Sequence, residues 1–179
     1  LGTDAFQEVD VVGVTQPISK WNYQIRRAED IPWAVARAFY IARSGRPGPV
    51  VLDFAKNAQT AMIEYAPQTV DFIRSYNPVP ETQPGSIEMA AELINQSVKP
   101  LMLVGQGVEL AGARQELLAL CEKAQIPFGQ TMLGLSAAPT GHPLNMGMLG
   151  MHGNLAPNVM TNQCDLLIAV GMRFDDRVT

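Results

Sequence analysis

Short apolar runs alternate with segments of helical periodicity through most of the chain, and this alternation constrains the fold more than any other feature. The predicted strands are 100–104, 127–131 and 165–170, and the predicted helices are 86–97, 111–124 and a stretch near Asn158. Strands that alternate with helices are joined by right-handed crossovers, which place the strands parallel in one sheet. The pattern therefore predicts an α/β fold with a doubly wound parallel sheet.

A segment nearer the start of the chain contains half of such a unit. Apolar residues recur at helical spacing over 29–45, with Pro32 in the first turn and Gly45 at the position of a C-terminal cap. The residues at 46–49, Arg-Pro-Gly-Pro, cannot continue a helix, and 50–54 is an apolar run. We therefore expect a helix, a tight loop and a buried strand in that order.

A polar stretch from residue 57 to residue 85, in which helical periodicity fades, separates the two regions. Its prolines include Pro67, Pro78, Pro80 and Pro84. Because such segments commonly join domains, we expect a linker between a first region at 1–56 and a second at 86–179. The chain opens with Leu1 instead of Met and stops at Thr179 directly after a strand-like run, so we expect it to be part of a longer polypeptide.

The composition argues against several functional classes. The 179 residues carry 13 Lys plus Arg and 17 Asp plus Glu, a net charge of −4 without long blocks of either sign, so neither nucleic acid nor a membrane surface is an expected partner. The chain has 2 Cys and 2 His, too few for a disulfide framework or a zinc site, and a reducing compartment fits best. Charged residues make up only 17% of the chain, which suggests that part of its surface is covered.

Unusual residues follow each predicted strand of the second region. The first strand is followed by Gly105-Gln106-Gly107, the second by Thr131-Met132, and the third by 171–176, Gly-Met-Arg-Phe-Asp-Asp. Ligands of open parallel sheets gather at the carboxyl ends of the strands. Glycine allows a close backbone approach to a ligand, and Arg173 can bind a phosphate through two hydrogen bonds. The arrangement predicts a site for a phosphate-bearing cofactor, and ordinary strand-to-helix turns are the alternative.

The glycine pair does not match the nicotinamide-dinucleotide fingerprint, because Leu110 occupies the third glycine position and no acidic residue ends the second strand. The loop at 145–153, which we call the methionine loop, contains three methionines and three glycines. Methionine packs well on flat aromatic rings, so this loop is interpreted either as a contact for a ring-bearing cofactor or as a core loop. His152 within it is more often a structural residue than a catalyst.

The acidic and basic residues elsewhere give weaker signals. Asp175 and Asp176 are adjacent on an extended segment, so their side chains point to opposite faces and are not expected to form an acid pair. Asp53, inside an apolar strand, is interpreted as a functional carboxylate or, more commonly, as a paired structural residue. Lys20 and Trp21 fit ligand contacts as well as they fit a solvated charge and a core aromatic.

Four segments carry a resemblance to a known family. They are 2–8 (Gly-Thr-Asp-Ala-Phe-Gln-Glu), 44–50 (Ser-Gly-Arg-Pro-Gly-Pro-Val), 148–153 (Met-Leu-Gly-Met-His-Gly) and 171–179 (Gly-Met-Arg-Phe-Asp-Asp-Arg-Val-Thr). In order and spacing they resemble the catalytic large subunit of acetohydroxyacid synthase, also called acetolactate synthase, over essentially the whole chain. The resemblance implies that 1–56 is the C-terminal part of a pyrimidine-binding domain and that 86–179 is the first part of a Rossmann-like, FAD-binding central domain.

The resemblance also implies an enzyme and a set of site residues. Members of this family use thiamine diphosphate and Mg²⁺ to join two pyruvates, or pyruvate and 2-ketobutyrate, with loss of CO₂ in branched-chain amino-acid biosynthesis, and they bind FAD. The FAD contacts implied for this chain are Gly105, Gly107, Thr131, Met132, Leu149, Gly150, Met151, His152, Gly171, Met172, Arg173, Phe174 and Asp175. The residues implied to line the active-site channel are Phe6, Gln7, Lys20 and Arg177.

Two departures limit what the resemblance implies. Several family members carry, at the position of Gln16, an arginine that contacts the flavin, so that contact is absent or replaced in this chain. The family's activating glutamate is expected upstream of Leu1, and its Gly-Asp-Gly segment, which holds Mg²⁺ and the diphosphate, is expected downstream of Thr179. Neither a catalytic residue nor a metal ligand is therefore assigned within the chain, and we expect the isolated chain to be inactive.

Other interpretations stay open. The alternatives are another thiamine-diphosphate enzyme, such as a 2-keto-acid oxidase, decarboxylase or glyoxylate carboligase, or a non-catalytic module that binds a nucleotide or a subunit, because fold alone does not separate them. For partners, the resemblance implies a homo-oligomer of catalytic subunits and a small regulatory subunit. It implies a location in the bacterial cytoplasm, or in the stroma or matrix of a eukaryotic organelle.

Overall fold

A computed structural model describes Gly2, Ala5, Phe6 and residues 8–178 of the chain. The chain divides between Glu81 and Thr82 into two compact units, and each unit contains its own parallel sheet. The division falls inside the proline-containing stretch between residues 57 and 85.

The first unit is built on two parallel strands and one long helix. Its helices are α1 (Val11–Thr15), α2 (Ile31–Arg43) and α3 (Lys56–Thr60), and its strands are β1 (Trp21–Ile25) and β2 (Val50–Phe54). The two strands pair in parallel, from Trp21 opposite Val50 to Ile25 opposite Phe54. Ile25, Ala34 and Ala58 are buried together, so β1, α2 and α3 share one core.

The helix predicted before β2 is confirmed as α2, with slightly shorter bounds. Pro32 lies in its first turn, and Ala34, Ala38 and Ile41 form its buried stripe. Gly45, just beyond the end of α2, has a φ of +58°, a conformation that glycine adopts without strain. The strand predicted next is confirmed as β2 with the expected bounds.

β1 is absent from the sequence-based prediction because it alternates instead of forming a continuous apolar run. Tyr23 and Ile25 pack into the core of this unit, whereas Asn22 donates a hydrogen bond to the Val12 carbonyl of α1 at 2.7 Å. This alternation is typical of a half-buried strand. Gln24, also in β1, donates to the Asp53 carboxylate at 2.8 Å, so Asp53 has a hydrogen-bonding partner in the neighbouring strand.

The second unit is a four-stranded sheet with helices on both faces. Its strands are β3 (Pro100–Val104), β4 (Phe128–Gln130), β5 (Asn145–Met148) and β6 (Leu166–Val170), and its helices are α4 (Ser86–Gln96), α5 (Gln106–Leu110), α6 (Arg114–Ala124) and α7 (Leu155–Gln163). The strand order is β5-β4-β3-β6, and each neighbouring pair is parallel. The predicted doubly wound parallel α/β sheet is therefore confirmed.

β3 is a central strand of this sheet, and its alternate residues fill two separate cores. Met102 and Val104 pack on one face with Leu117 of α6, whereas Leu101 and Leu103 pack on the other face among residues that include Met160 of α7. Because successive side chains of a strand point to opposite faces, a strand covered on both sides is apolar throughout. This packing explains the continuous apolar run from which the strand could be predicted.

Two expectations about the second unit are wrong in part. The helix predicted over 111–124 begins at Arg114, and α5 precedes it as a separate helix, with Gly112 between them at a φ of +67°. The loop predicted over 133–153 contains β5, whose sequence Asn-Met-Gly-Met has no β-branched residue. β5 pairs with β4, a long-range contact that the local sequence pattern does not encode.

Asp165 joins the start of β6 to the turn between α4 and β3. Its carboxylate accepts hydrogen bonds from the Ser97 hydroxyl and from the backbone N–H groups of Val98, at 2.7 Å, and Lys99, at 2.9 Å. The Ser97 bond first, and then the Val98 bond, lower the pKa of Asp165 below its ordinary value. The ionised carboxylate therefore ties β6 to the neighbouring turn at neutral pH.

Candidate cofactor-binding site

The carboxyl ends of the four strands in the second unit lie along one edge of the sheet because all four strands are parallel. The chain passes from β3 to β4 and β5 and then returns to the other side of β3 as β6, so the strand order reverses between β3 and β6. Ligands of doubly wound sheets bind at such a reversal. Neighbouring strands are about 4.8 Å apart, so this carboxyl edge is about 14 Å wide.

Three glycines at the reversal pack against one another, and we call Gly105, Gly107 and Gly171 the glycine floor. The Gly107 N–H donates to the Gly171 carbonyl at 2.7 Å, and the Gly105 N–H donates to the Val170 carbonyl at 2.9 Å. A Cβ on Gly105 would lie 2.4 Å from the Gly171 carbonyl oxygen, and one on Gly107 would lie 2.6 Å from the Gly171 Cα. The close backbone approach that we expected toward a ligand is thus made between the two loops.

Gln130, at the end of β4, organises two loops of this edge and was not identified from the sequence. It is 2% exposed. Its Nε2 donates to the carbonyls of Gly134, at 3.0 Å, and Leu135, at 3.3 Å, and its Oε1 accepts from Asn145 Nδ2 at 3.0 Å. A buried carboxamide costs free energy unless it is hydrogen-bonded, and here both ends are bonded. The glutamine therefore holds the loop after β4 next to β5.

Three large apolar side chains on the loops of this edge are exposed, and we call Met132, Met151 and Phe174 the apolar rim. Their exposed fractions are 76%, 59% and 62%. Leu149, by contrast, is 5% exposed and packs with Leu101 and Leu103. The methionine loop is therefore a core loop at Leu149 and open to solvent at Met151.

Backbone hydrogen bonds hold the rim residues to this edge. The Thr131 N–H donates to the Val104 carbonyl at 2.9 Å, which places Thr131 and Met132 next to the end of β3. The Met151 N–H donates to the Arg177 carbonyl at 3.0 Å, which joins the methionine loop to the segment after β6. The structure thus brings the predicted FAD residues that follow β4, β5 and β6 to the same edge of the sheet.

The segment after β6 contains a local network of charges. Arg173 Nη2 donates to Asp175 at 2.9 Å, and the Arg177 N–H donates to the other oxygen of the same carboxylate at 3.0 Å. The Arg173 bond most strongly, and then the Arg177 bond, lower the pKa of Asp175. Asp176 lies near Arg177 instead, with Oδ2 3.7 Å from Nε. Asp175 thus bonds the Arg173 guanidinium and the Arg177 N–H, whereas Asp176 lies beside the Arg177 guanidinium.

The residues predicted for the active-site channel lie in different surroundings. Phe6 is 93% exposed, and Gln7 lies outside the described residues. Lys20 donates to the carbonyls of Ile41, at 2.6 Å, and Ser44, at 2.7 Å, so its ammonium group caps the C-terminal end of α2. Gln16, at the position of the family's flavin-contacting arginine, is exposed in a 3₁₀ turn after α1.

An open depression of about 410 Å³ lies in the first unit. It is lined by residues of α2, among them Phe39 and Tyr40, and by 68–70. None of the described residues predicted for the cofactor site or the channel lines it.

Gly2, Ala5, Phe6 and residues 8–178 contain no group of three His, Cys, Asp or Glu side chains placed to hold a metal ion. No helix formed by these residues has both the length and the apolar character needed to cross a bilayer.

Comparisons with known proteins point to one family. A family model described as the thiamine pyrophosphate enzyme central domain matches residues 87–179. The chain is 44% identical to a protein named acetolactate synthase from Arthrospira platensis, over 99% of this chain and 32% of that protein. It is 45% identical to the acetolactate synthase large subunit of Corynebacterium glutamicum, over 100% of this chain and 29% of that protein. It is 46% identical to the acetolactate synthase isozyme 1 large subunit of Escherichia coli, over 99% and 31%.

A solved structure supports the same assignment. A crystal structure described as a thiamin diphosphate-dependent enzyme from Mycobacterium smegmatis superposes with a TM-score of 0.71 at 27% identity, over 92% of this chain and 31% of that one. The chain spans about three-tenths of the length of these relatives.

Proposed function

Because the chain belongs to the thiamine pyrophosphate enzyme family, we propose that it is a segment of an acetolactate synthase large subunit. The full-length protein would join two pyruvates, or pyruvate and 2-ketobutyrate, with loss of CO₂. Relatives that carry this name match the chain from end to end, including the segments before residue 87, where the family model does not reach. This end-to-end match supports acetolactate synthase over other thiamine-diphosphate enzymes.

The domain assignment follows from the same match. Residues 1–56 would form the C-terminal part of the pyrimidine-binding domain, 57–85 a linker, and 86–179 the first part of the FAD-binding central domain. Two observations support it: the central-domain model begins at residue 87, and the structure has separate compact units on either side of Glu81 and Thr82.

The carboxyl edge of the second unit would bind FAD. The residues there fit the group, because the apolar rim exposes three large side chains to solvent and the Arg173 side chain is 70% exposed beside it. An isoalloxazine ring needs a flat apolar contact, and a diphosphate needs a guanidinium or backbone N–H groups. When bound, FAD would supply a ring and a diphosphate for assembly of the site and not electrons for the substrates, because joining two keto acids with loss of CO₂ involves no net oxidation.

The chain's own residues would then have distinct tasks. Asp175 accepts a hydrogen bond from one nitrogen of the Arg173 guanidinium, and the other nitrogens would donate to a phosphate. The glycine floor closes the reversal between β3 and β6 with backbone alone, so no side chain from these three positions fills the space above it. Met132, Met151 and Phe174 would cover the ring and exclude water from it.

Thiamine diphosphate and Mg²⁺ would be held mainly by segments outside this chain. Phe6, Gln7, Lys20 and Arg177 would line the channel to the reacting centre. For Lys20 this task requires its ammonium group to leave the two carbonyls at the end of α2, or to act from that position.

The proposed partners and location follow from the family. The large-subunit name of the relatives supports a small regulatory subunit, and the low charged fraction of 17% supports surfaces covered in a homo-oligomer of catalytic subunits. Neither a nucleic acid nor a membrane is a proposed partner. We place the protein in the bacterial cytoplasm, or in the stroma or matrix of an organelle if its source is eukaryotic.

The observation that carries the flavin proposal is that three separate sequence segments, after β4, β5 and β6, bring exposed apolar or cationic side chains to one edge of one sheet. The test is an assay of the full-length gene product with pyruvate, thiamine diphosphate, Mg²⁺ and FAD. We expect acetolactate to form and FAD fluorescence to be quenched on binding. Acetaldehyde or hydrogen peroxide in place of acetolactate would assign the protein to another branch of the family.

A further inference from the structure

Asn158 on α7 contacts a single residue of the methionine loop through both ends of its side-chain amide. The Gly150 N–H donates to Asn158 Oδ1 at 2.8 Å, and Asn158 Nδ2 donates to the Gly150 carbonyl at 2.9 Å. A carboxamide that accepts from the N–H and donates to the C=O of one residue reproduces the pair of hydrogen bonds made between strands. One side chain thus bonds both backbone polar groups of Gly150, and the Gly150 carbonyl accepts a second bond from the Gly153 N–H at 2.9 Å.

Gly150 needs this support because its surroundings restrict its backbone conformation. It is buried, and its φ is +104°. A Cβ at this position would lie 2.4 Å from the Arg177 carbonyl oxygen, and that same oxygen accepts the Met151 N–H at 3.0 Å. The loop is therefore held by Asn158 on α7 and by the backbone of the segment after β6.

The side chain of Met151 is exposed, so it does not determine where Met151 lies. Leu149 is anchored in the core, but Met151 and His152 are both exposed. The direction in which these two residues leave the core is set by the backbone of Gly150, which lies between the anchored residue and the exposed ones. Removing the two Asn158 bonds would leave the buried Gly150 N–H unpaired, which costs about 1 to 3 kcal/mol, while the Gly150 carbonyl would keep only its bond from the Gly153 N–H at 2.9 Å.

We propose that Asn158 is a positioning residue for the flavin site: it fixes the Gly150 backbone so that Met151 and His152 stand on the carboxyl edge where FAD would bind. The inference rests on the proposed function. Asn158 itself touches no part of the cofactor in this account and acts through Gly150.

The test uses the full-length gene product and two substitutions. Asn158→Ala removes both bonds, and Asn158→Asp, which has the same size, keeps the acceptor for the Gly150 N–H but places an oxygen opposite the Gly150 carbonyl. The matched control is Asn162→Ala on the same helix, since Asn162 is exposed and donates only to the Asn158 carbonyl, at 3.0 Å. The readouts are the Kd for FAD and amide hydrogen exchange of the peptide spanning 149–153 in the FAD-free protein.

We expect both Asn158 variants to weaken FAD binding about tenfold or more and to speed exchange at Gly150 and Met151, with the control within about twofold of wild type. The inference is overturned if the Asn158 variants bind FAD like wild type, or if Asn162→Ala loses as much affinity. If Asn158→Ala does not fold, the isosteric Asn158→Asp decides the case. A wild-type protein that binds no FAD contradicts the proposed function instead, and the exchange data then still report whether Asn158 holds the loop.

Discussion

The carboxyl edge of the second unit contains two regions with opposite properties, the glycine floor and the apolar rim. In the floor the backbones of two loops touch, and a single Cβ would lie closer than 3 Å to backbone atoms. In the rim three large side chains are more than half exposed. The floor belongs to the fold because it closes the sheet at the reversal, whereas the rim contributes little to packing within the unit.

The comparison shows that a residue occurs at the end of a strand for one of two reasons. A glycine there is needed when two loops must touch, and an exposed apolar side chain there is costly to keep in water unless something covers it. Substitutions in the floor should therefore change folding, and substitutions in the rim should change binding at nearly constant stability. The following experiments test that separation.

The largest effect is expected from Gly171→Ala in the floor. Gly171 has a φ of +60°, and an added Cβ would lie 2.5 Å from the Val108 nitrogen, so the variant combines backbone strain with a backbone clash. We expect a loss of about 3 kcal/mol, seen as a lower unfolding temperature or as lost soluble protein. Gly141→Ala is the control, because a Cβ there meets open space. Equal stability of the two variants would contradict a packed floor.

The two cysteines extend the comparison from the edge to the interior. Cys121 of α6 is fully buried against β3, and burial raises the pKa of its thiol to about 11. Cys164 is half-buried. At pH 8 we expect iodoacetamide to label Cys164 in the native protein and Cys121 roughly a hundredfold more slowly, because few of its thiols are ionised. Peptide mapping measures both rates, and equal labelling would show that the core opens readily.

The rim is tested by Phe174→Ala with a matched exposed phenylalanine as control. Phe174 and Phe39 are 62% and 64% exposed, and Phe39 lies in the first unit, on α2. We expect Phe174→Ala to weaken FAD binding roughly tenfold, since an aromatic contact with the ring is lost, while the unfolding temperature stays near that of wild type. Phe39→Ala should leave the Kd for FAD unchanged. Similar losses in both variants would remove the argument for the rim.

The smallest effect concerns two carboxylates with lowered pKa values. Asp165 joins separate elements of the fold, whereas Asp175 bonds within its own loop. A folded-state pKa below the unfolded value of about 3.9 gives stability that is present above that value and is lost as the pH falls through the folded pKa. Asp165→Asn should therefore lower the unfolding temperature at pH 7 and converge with wild type in strong acid.

The matching Asp175→Asn variant should change the unfolding temperature less, because its partners Arg173 and Arg177 lie in the same segment. Thermal unfolding from pH 7 down to pH 2 measures both variants. A gap between wild type and Asp165→Asn that stays constant over this range would rule out the carboxylate as its source.

Three strands of the second sheet could be predicted from sequence, each from a short apolar run. β3 is apolar throughout because it is covered on both faces, and β6 is a continuous apolar run although alternate residues are exposed, whereas β4 follows Pro127 and ends in the buried Gln130. β5 could not be predicted, because it depends on pairing with β4 and not on its own residues. The break at Gly112 was missed for a related reason, since a positive φ is a property of the backbone that glycine permits and does not demand.

The location of the candidate site could be predicted from the sequence, but the contacts that hold it together could not. The glycines, Arg173 and the methionines were visible as unusual residues after strands. Gln130 and Asn158 were not identified, because an amide shows its importance only through its partners in space. The close contact of Gly105 with Gly171 could not be predicted for the same reason, since 65 intervening residues separate them in the chain.

The most direct test of the account is a structure determination of the full-length protein with FAD bound. We expect the flavin and its diphosphate to contact Met132, Met151, Arg173 and Phe174 on the carboxyl edge of the second unit, above the glycine floor. FAD bound elsewhere, with these four side chains in contact with protein or solvent alone, would contradict the central claim.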